Sequence, residues 1–248
     1  MKIRTIQLSK TDLQLFPDSE RLLVFVGGHI RNEVACLEKL LLRAVHTDSA
    51  SQMESDGNVS QSFLLLRLLA GKLYEGRRFL KKNFDDKLAS AYAKVLPKDD
   101  LNAYADLKSY FDQSPPIIKL IRDRLAFHYA TDGILHAIDG LDDDEVLRIY
   151  ITNVRINAFY GASDRLVTEA MLATVDGTVG IDAVRVLTCE ISEVARKFNS
   201  FMDAAITEAL RRNLPAAVFE DAPESELELK PADGMPYFCG LPRKDKDT

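Results

Sequence analysis

The sequence predicts a mainly α-helical domain, a helical bundle of about six to eight helices that leaves room for a minor two-stranded β element. Three observations support this fold class. The 248-residue chain is 46% hydrophobic, which is enough apolar surface for a sizeable core. Long segments place apolar side chains three and four positions apart, the period of an amphipathic helix. Glycine and proline number only 12 and 9, so collagen-like and low-complexity classes are excluded.

The first half of the chain predicts two long helices after a short alternating segment. Asp18 or Ser19 can cap the first helix, because either side chain can accept a hydrogen bond from a free backbone amide. Gly27 and Gly28 interrupt this helix and predict either a kink or a close contact with another helix. In chain order, the predicted segments are a strand over 3–8, a helix over 20–46, a loop over 48–58 and a helix over 59–82.

The second half predicts shorter helices followed by one very long helix. Ser114, Pro115 and Pro116 form a strong helix start, because serine caps free amides and proline loses no hydrogen bond in the first turn. We expect this helix to reach Asp132, where Gly133 allows an exit or a kink. The other predicted segments are helices near 86–95 and 99–111, a segment over 146–152 that slightly favours a strand and could pair with 2–8, and helices over 163–175 and 178–213.

Charge and proline content predict a boundary near the end of the last helix. The formal net charge is −6, and residues 220–248 carry −4 of it on eight acidic and four basic side chains. The rest of the chain is therefore close to neutral and has room for local basic patches. We expect a helical domain over 1–213 and a flexible acidic C-terminal tail over 214–248.

The sequence favours a protein of the reduced cytoplasm that makes no contact with a membrane. The longest apolar run, Leu22–Gly28, has seven residues, whereas a membrane-spanning helix needs roughly 18. The N-terminal residues lack the apolar stretch of a secretory signal. The cysteines, Cys36, Cys189 and Cys239, are odd in number and far apart. This pattern fits a compartment in which thiols stay reduced.

Arg122 and His128 are the most informative pair of residues, within the stretch LIRDRLAFHY. On a helix they flank Leu125 on one face, about 9 Å apart along the axis, so both side chains can face one shallow cleft. Arginine stays charged and binds phosphate with two hydrogen bonds, whereas histidine titrates near neutrality and can move a proton. The alternative is an arginine and a hydrogen-bonded core histidine that serve only the fold.

The pattern Arg122-Asp123-x4-His128 resembles the signature of the HEPN superfamily, an arginine followed by a polar residue and then a histidine. The resemblance extends loosely over residues 20–135, which include the two long helices. It implies a metal-independent endoribonuclease without a cofactor, in a defence or toxin–antitoxin setting. It also implies that two subunits of a homodimer bring their motifs together on an RNA substrate, and that a cognate inhibitor protein exists. Arg122 and His128 would be catalytic through 2′-hydroxyl attack, and Asp123 would orient or tune one of them.

Residues around His128 add candidates for the same site. Arg124 could hold a second phosphate or be a solvated charge, and Tyr129 is a further candidate substrate contact. Members of the superfamily that are inactivated by nucleotidylation carry tyrosine two places after the histidine, where this chain has Ala130. Asp132 could accept the imidazole N–H or simply end a helix.

Four basic residues near the end of the second long helix form a further candidate RNA contact. Arg77, Arg78, Lys81 and Lys82 make two pairs four positions apart, which predicts a compact cationic ridge. Such a ridge could follow an RNA backbone. Cations near a helix C-terminus also complement the helix dipole, and this structural interpretation is slightly favoured.

Two other hypotheses belong to different classes. The first is a non-catalytic helical dimer that binds RNA or protein through the same cleft. The second is a metal-binding bundle, because His128, Asp132 and His136 stand four positions apart, although Gly133 interrupts this spacing. No nucleotide-binding glycine loop, GxSxG motif or paired-cysteine spacing is present in the sequence.

Overall fold

A computed structural model of the chain confirms the mainly α-helical fold with a minor two-stranded element. The structure describes residues 2–113, 116–123, 131–153, 157–173, 180–216, 218, 223–226 and 235–237. Its elements are β1 (Lys2–Arg4), α1 (Lys10–Gln14), α2 (Asp18–Leu22), α3 (Gly28–Val45), α4 (Gln52–Leu80), α5 (Ala89–Tyr92), α6 (Lys98–Asp112), α7 (Ile117–Ile121), α8 (Thr131–Asp139), α9 (Gly161–Leu172), α10 (Gly180–Asn213) and β2 (Glu224–Glu226). π-Helical turns over Leu23–Gly27 and Lys81–Asp85 join α2 to α3 and extend α4.

The core lies between the three long helices α3, α4 and α10. α10 contacts α3, α4, α6 and α9, while α7 and α9 also pack against α4. Most apolar positions of α10 that recur at helical spacing are buried, namely Leu187, Ile191, Val194, Phe198 and Met202. Val184, Ile206 and Leu210 continue the series and are half-buried. Burial of this continuous stripe is what holds a helix about 50 Å long across the whole bundle.

Glycines allow the long helices to approach one another closely. A Cβ atom on Gly27 would lie 2.7 Å from Cε of Met202. A Cβ atom on Gly76, in the middle of α4, would lie 2.8 Å from two ring atoms of Phe198. Of the two roles predicted for the Gly27-Gly28 pair, Gly27 therefore serves a close contact, at the end of a π-helical turn.

The C-terminal end of α10 is fixed by the buried carboxylate of Glu20, which is only 5% exposed. The Tyr92 hydroxyl donates a 3.0 Å hydrogen bond to Oε1, and the Asn213 side-chain amide donates to Oε2. The Arg212 guanidinium lies 5.1 Å from the centre of the Tyr92 ring and 3.6 Å from Oε1. These donors compensate the buried charge and connect α2, α5 and α10.

Two predicted boundaries and one predicted strand are wrong. The loop predicted over 48–58 ends at Ser51, because the Ser51 hydroxyl accepts the Glu54 N–H and so starts α4 seven residues earlier than expected. Of the two roles predicted for Gly133, the helix exit is wrong, since Gly133 lies within α8, and the kink stays a prediction. The segment 146–152 is not a strand: within it only Tyr150 forms an isolated bridge, to Phe159.

The strand partner of the N-terminus is also different from the one predicted. β1 pairs antiparallel with β2, with Ile3 opposite Ser225. The Lys2 ammonium and the Glu224 carboxylate lie 2.9 Å apart at the end of this ladder. The acidic residues of β2 thus lie beside a basic N-terminal strand. The segment 146–152 contains no acidic residue, so it could not have made this pairing of opposite charges.

Residues 235–237 of the predicted tail lie against the helical domain. The Met235 N–H donates to Oγ1 of Thr47 at 2.6 Å, and the Met235 carbonyl accepts from the Gln61 side chain at 2.5 Å. The Tyr237 N–H donates to Oδ1 of the buried Asn58 at 2.9 Å. The domain boundary at 213 stays a prediction.

No helix in the described part of the chain is long and apolar enough to cross a bilayer.

The glycine contacts predict a loss of stability for one alanine substitution and none for its matched control. Gly76→Ala would overpack α4 against the rigid Phe198 ring, at a cost of about 1–3 kcal/mol that exceeds the roughly 1 kcal/mol gained in helix propensity. Gly28→Ala is the control, because its Cβ would make an ordinary 3.7 Å contact with Ile206. We expect urea unfolding to show a loss of stability for Gly76→Ala and no loss for Gly28→Ala. Equal midpoints for the two variants would contradict the close packing of α4 and α10.

Candidate functional site

α7 places Arg122 at the surface of the bundle. Pro116 precedes the helix, and the Ile118 N–H in its first turn donates to the Tyr110 hydroxyl at 3.3 Å. Ile118 and Ile121 are fully buried, since α7 packs against α4. Arg122 follows directly and is held by this apolar anchor at the edge of the core.

The Arg122 guanidinium is bound by two carboxylates. Its Nη2 donates to Oε1 of Glu75 on α4 at 2.9 Å, and its Nη1 donates to Oδ1 of Asp123 at 2.9 Å. The guanidinium carbon lies 5.3 Å from the centre of the Tyr74 ring, a cation–π distance. The hydrogen bonds that Arg122 donates to Asp123 and then to Glu75 raise the pKa of Arg122 above its ordinary value, so the group stays charged.

These contacts leave part of the guanidinium available. An arginine has five N–H donors, and one on each terminal nitrogen is used. The Nε–H is buried without a partner among the described residues. Two terminal N–H groups remain on a side chain that is 26% exposed. They suit a bidentate oxygen ligand such as a phosphate or a carboxylate.

Arg78 joins the same cluster from α4. Its Nη1 lies 3.1 Å from Oε2 of Glu75, so Glu75 binds the guanidinium groups of both Arg78 and Arg122. Arg78 is 61% exposed, which leaves most of its charge facing solvent. We call Glu75, Arg78, Arg122 and Asp123, together with the Tyr74 ring, the Arg122 cluster. Its formal charges sum to zero.

The other sequence-predicted site residues are not all placed. His128, Arg124 and Tyr129 lie outside the described residues, as does the side chain of Asp132. Their relation to Arg122 stays a prediction. Lys81 and Lys82 are exposed in the π-helical turn after α4. These two members of the predicted cationic ridge therefore face solvent.

Arg77 is not part of an exposed ridge, because its side chain is only 8% exposed. Its Nη1 donates to Oδ2 of Asp85 at 3.0 Å and contacts the Tyr104 hydroxyl at 3.5 Å. The Tyr104 hydroxyl also donates to Oδ1 of Asp85. Arg77 stands four residues after Leu73 and three before Leu80, on the apolar face of α4. The helical spacing alone could therefore have predicted that Arg77 is buried.

Sequence reasoning missed Glu75 and Tyr74. Both lie on α4, and Glu75 is 47 residues from Arg122 along the chain. No local pattern connects residues so far apart, since only the packing of α7 on α4 brings them together. The cluster is therefore a product of tertiary structure.

Among the described residues, no group of three or more histidine, cysteine, aspartate or glutamate side chains is arranged to hold a metal ion. His136 is exposed on α8, but two members of the predicted metal set, His128 and the Asp132 side chain, are not described. The metal-site hypothesis stays a prediction.

Neither the protein-family models, nor the curated proteins, nor the solved structures compared with this chain include a match to it.

The environments of Arg77 and Arg78 predict very different costs of substitution. Arg77→Ala would leave Asp85 as an uncompensated charge that is only 17% exposed, which costs about 3–5 kcal/mol. Arg78→Ala, the neighbouring control, removes an exposed ion pair and should change the free energy of unfolding by about 0.5 kcal/mol or less. Urea unfolding of the two variants measures the difference. Similar losses in both would show that Arg77 does not hold a buried pair.

Proposed function

We propose that the chain is a metal-independent endoribonuclease of HEPN-like type that acts on RNA at a composite site formed by two subunits. The motif from Arg122 to His128 supports the proposal. The single structural observation that carries it is the Arg122 guanidinium, which is charged, oriented by two carboxylates and partly exposed with two terminal N–H groups left over. A cytoplasmic defence or toxin–antitoxin role, with a cognate inhibitor protein, rests on the family resemblance.

The chemistry needs one cation and one proton carrier. The RNA 2′-oxygen attacks the adjacent phosphorus and loses its proton, while the bond from phosphorus to the 5′-oxygen breaks and that oxygen gains a proton. A 2′,3′-cyclic phosphate and a 5′-hydroxyl result. Arg122 would stabilise the charge that grows on the phosphate oxygens, and His128 would carry the proton.

The remaining members of the Arg122 cluster have defined roles in this proposal. Glu75 and Asp123 hold the planar guanidinium in one orientation before RNA arrives, which lowers the entropy lost on binding. Arg78 presents a second, more exposed cation on the other side of Glu75 and could contact a neighbouring phosphate. The carboxylates also repel phosphate, so a bound RNA must make its contacts on the open side of Arg122.

Cleavage of RNA in the presence of a chelator tests the proposal. We expect the purified protein to cleave total RNA in EDTA and to leave 2′,3′-cyclic phosphate ends. Arg122→Ala and His128→Ala should each lower the rate about 10²-fold or more, as loss of a charge-stabilising or proton-transferring group does. Arg122→Lys should restore only part of the rate, because an ammonium cannot bind two oxygens in one plane.

The matched control is Arg196→Ala, which removes an exposed arginine that is paired with Glu193 on α10, outside the Arg122 cluster. It should cleave at the wild-type rate. Absence of cleavage, or cleavage that is unchanged in both the Arg122 and His128 variants, would refute the proposal. Activity that EDTA abolishes would favour the metal-site hypothesis instead.

A second candidate function is a non-catalytic helical dimer that binds RNA or protein. The observation that favours it is a run of large apolar side chains that remain exposed between residues 135 and 151. They are Leu135, Ile138, Val146, Leu147, Ile149 and Ile151, and Ile151 is 90% exposed. A single chain gains nothing from exposing so many apolar groups in one segment, whereas a protein–protein contact would bury them.

Sedimentation tests whether this segment forms an interface. We expect the wild-type chain to sediment as a dimer and Ile151→Asp to shift the equilibrium towards monomer, because a buried carboxylate without a partner opposes association. Leu42→Asp is the control, since Leu42 is a 60% exposed apolar residue on α3, outside the segment. A dimer that both variants preserve would place the interface elsewhere, and a wild-type monomer would contradict both candidate functions.

A further inference from the structure

A cleft between α4 and α9 encloses about 450 Å³, a volume in the range of small-molecule sites. α10 contributes Val184 to its lining, and residues 145–148 form one rim. Apolar and aromatic side chains make up much of the wall. They include Phe63 on α4, Leu172 on α9, and Phe159, which precedes α9. The cleft lies at the N-terminal half of α4, away from the Arg122 cluster.

Among the described residues, two aspartates of this cleft accept hydrogen bonds from neutral groups only. Asp56 accepts hydrogen bonds from the Gln52 amide and from the Tyr150 hydroxyl, both at 2.7 Å. Asp164 accepts a hydrogen bond from the hydroxyl of Ser60, a residue that is only 8% exposed. Within the described part of the chain, neither carboxylate forms an ion pair with a lysine, arginine or histidine.

The cleft lining carries fewer basic than acidic side chains: Arg148 and Arg165 against Asp56, Glu145, Asp164 and Glu169. Arg165 lies 2.9 Å from Glu169, one helical turn further along α9, and its charge is cancelled there. Arg148 is exposed on the rim, and its charge acts on the Tyr150 hydroxyl that donates to Asp56. Four acidic and two basic lining residues leave the cleft with a formal charge of −2, and neither Asp56 nor Asp164 has a direct cationic partner among the described residues.

The two carboxylates are close to each other in the fold. Asp56 and Ser60 stand four positions apart on α4, so their side chains share one face about 6 Å apart. Asp164 reaches this face from α9 through its hydrogen bond to Ser60. A cation placed over this turn of α4 would therefore face both carboxylates.

Aromatic rings lie in and beside the cleft: Phe159 lines it, and Tyr150 and Tyr237 pack against Phe159. The Tyr150 and Phe159 rings are stacked with centres 5.9 Å apart, and the Tyr237 ring lies 4.7 Å from Phe159 on the side of the tail. Aromatic faces attract cations, and they also bury apolar carbon. The cleft combines carboxylates that have no direct cationic partner among the described residues with the Phe63 and Phe159 rings and an aliphatic wall. This combination matches an ammonium group on an apolar body.

We propose that this cleft is a binding site for a small organic cation, an amine with an aromatic or aliphatic body, whose ammonium group contacts Asp56 and Asp164. This function is separate from RNA cleavage. An inorganic cation fits less well, because the described residues offer no group of three or more acidic, histidine or cysteine side chains arranged around one point.

Binding of charge-matched probes to the full chain tests the site. Titration calorimetry with 2-phenylethylamine, putrescine and choline should detect binding of at least one of these cations. For 2-phenylethylamine, the neutral isostere 2-phenylethanol should bind about tenfold more weakly or worse, and the anion 3-phenylpropionate should not bind. A tenfold change corresponds to about 1.4 kcal/mol, the scale expected for one desolvated charge contact.

Two isosteric variants locate the cation. Asp164→Asn and Asp56→Asn each keep an oxygen that can accept the existing hydrogen bonds, so the fold should be retained, and circular dichroism would verify this. Each should weaken amine binding about tenfold while leaving binding of 2-phenylethanol unchanged. Asp112→Asn, an exposed aspartate at the end of α6, is the matched control and should bind as the wild type does.

Four results would overturn the proposal: no binding of any of the three cations, equal binding of the amine and the alcohol, undiminished amine binding in both cleft variants, or displacement of the amine by Mg²⁺ or Ca²⁺.

Discussion

The packing of α4 against α3, α7, α9 and α10 is the constraint on which both the Arg122 cluster and the cleft depend. α4 is 29 residues long and supplies side chains to each of them. Its first turns carry Asp56, Asn58 and Ser60, which face the cleft and the tail. Its last turns carry Glu75 and Arg77, which contact Arg122 and Asp85. Since Gly76 allows α4 to lie directly against Phe198, a shift of this helix would alter both ends together.

Burial decides what each arginine near the end of α4 does. Arg77 faces the core, where its charge is balanced by Asp85 and its removal leaves that partner unpaired. Arg78, one residue later, is exposed to solvent, and its removal should lower the stability of the protein only slightly. Arg122 lies between these extremes: it is partly desolvated, fully oriented and not fully used. A guanidinium in this intermediate state is the one best suited to bind a phosphate, because it is pre-oriented and still accessible.

The sequence predicts those parts of the fold that show a local pattern, such as an apolar repeat. It does not predict contacts between segments that are far apart in the chain. The apolar repeat of α10 and the close contact at Gly27 follow from local pattern. The pairing of β1 with β2 could not be predicted, because two three-residue strands at opposite ends of the chain carry no periodic signal. The Arg122 cluster is predicted in part: the arginine and Asp123 are adjacent in sequence, whereas Glu75 enters only through helix packing. Whether His128 completes the site stays a prediction.

The Arg122 cluster and the cleft can be tested independently, because they lie at opposite ends of the helix α4. Ser60 and Glu75 are 15 positions apart on this helix, a distance of about 22 Å along its axis. Charges that far apart are screened, since the separation exceeds two Debye lengths of about 8 Å at physiological salt. Substitutions at such a distance with no shared partner usually act additively. A neutralised aspartate in the cleft should therefore leave the Arg122 cluster intact, so any joint effect would have to pass through movement of α4 itself.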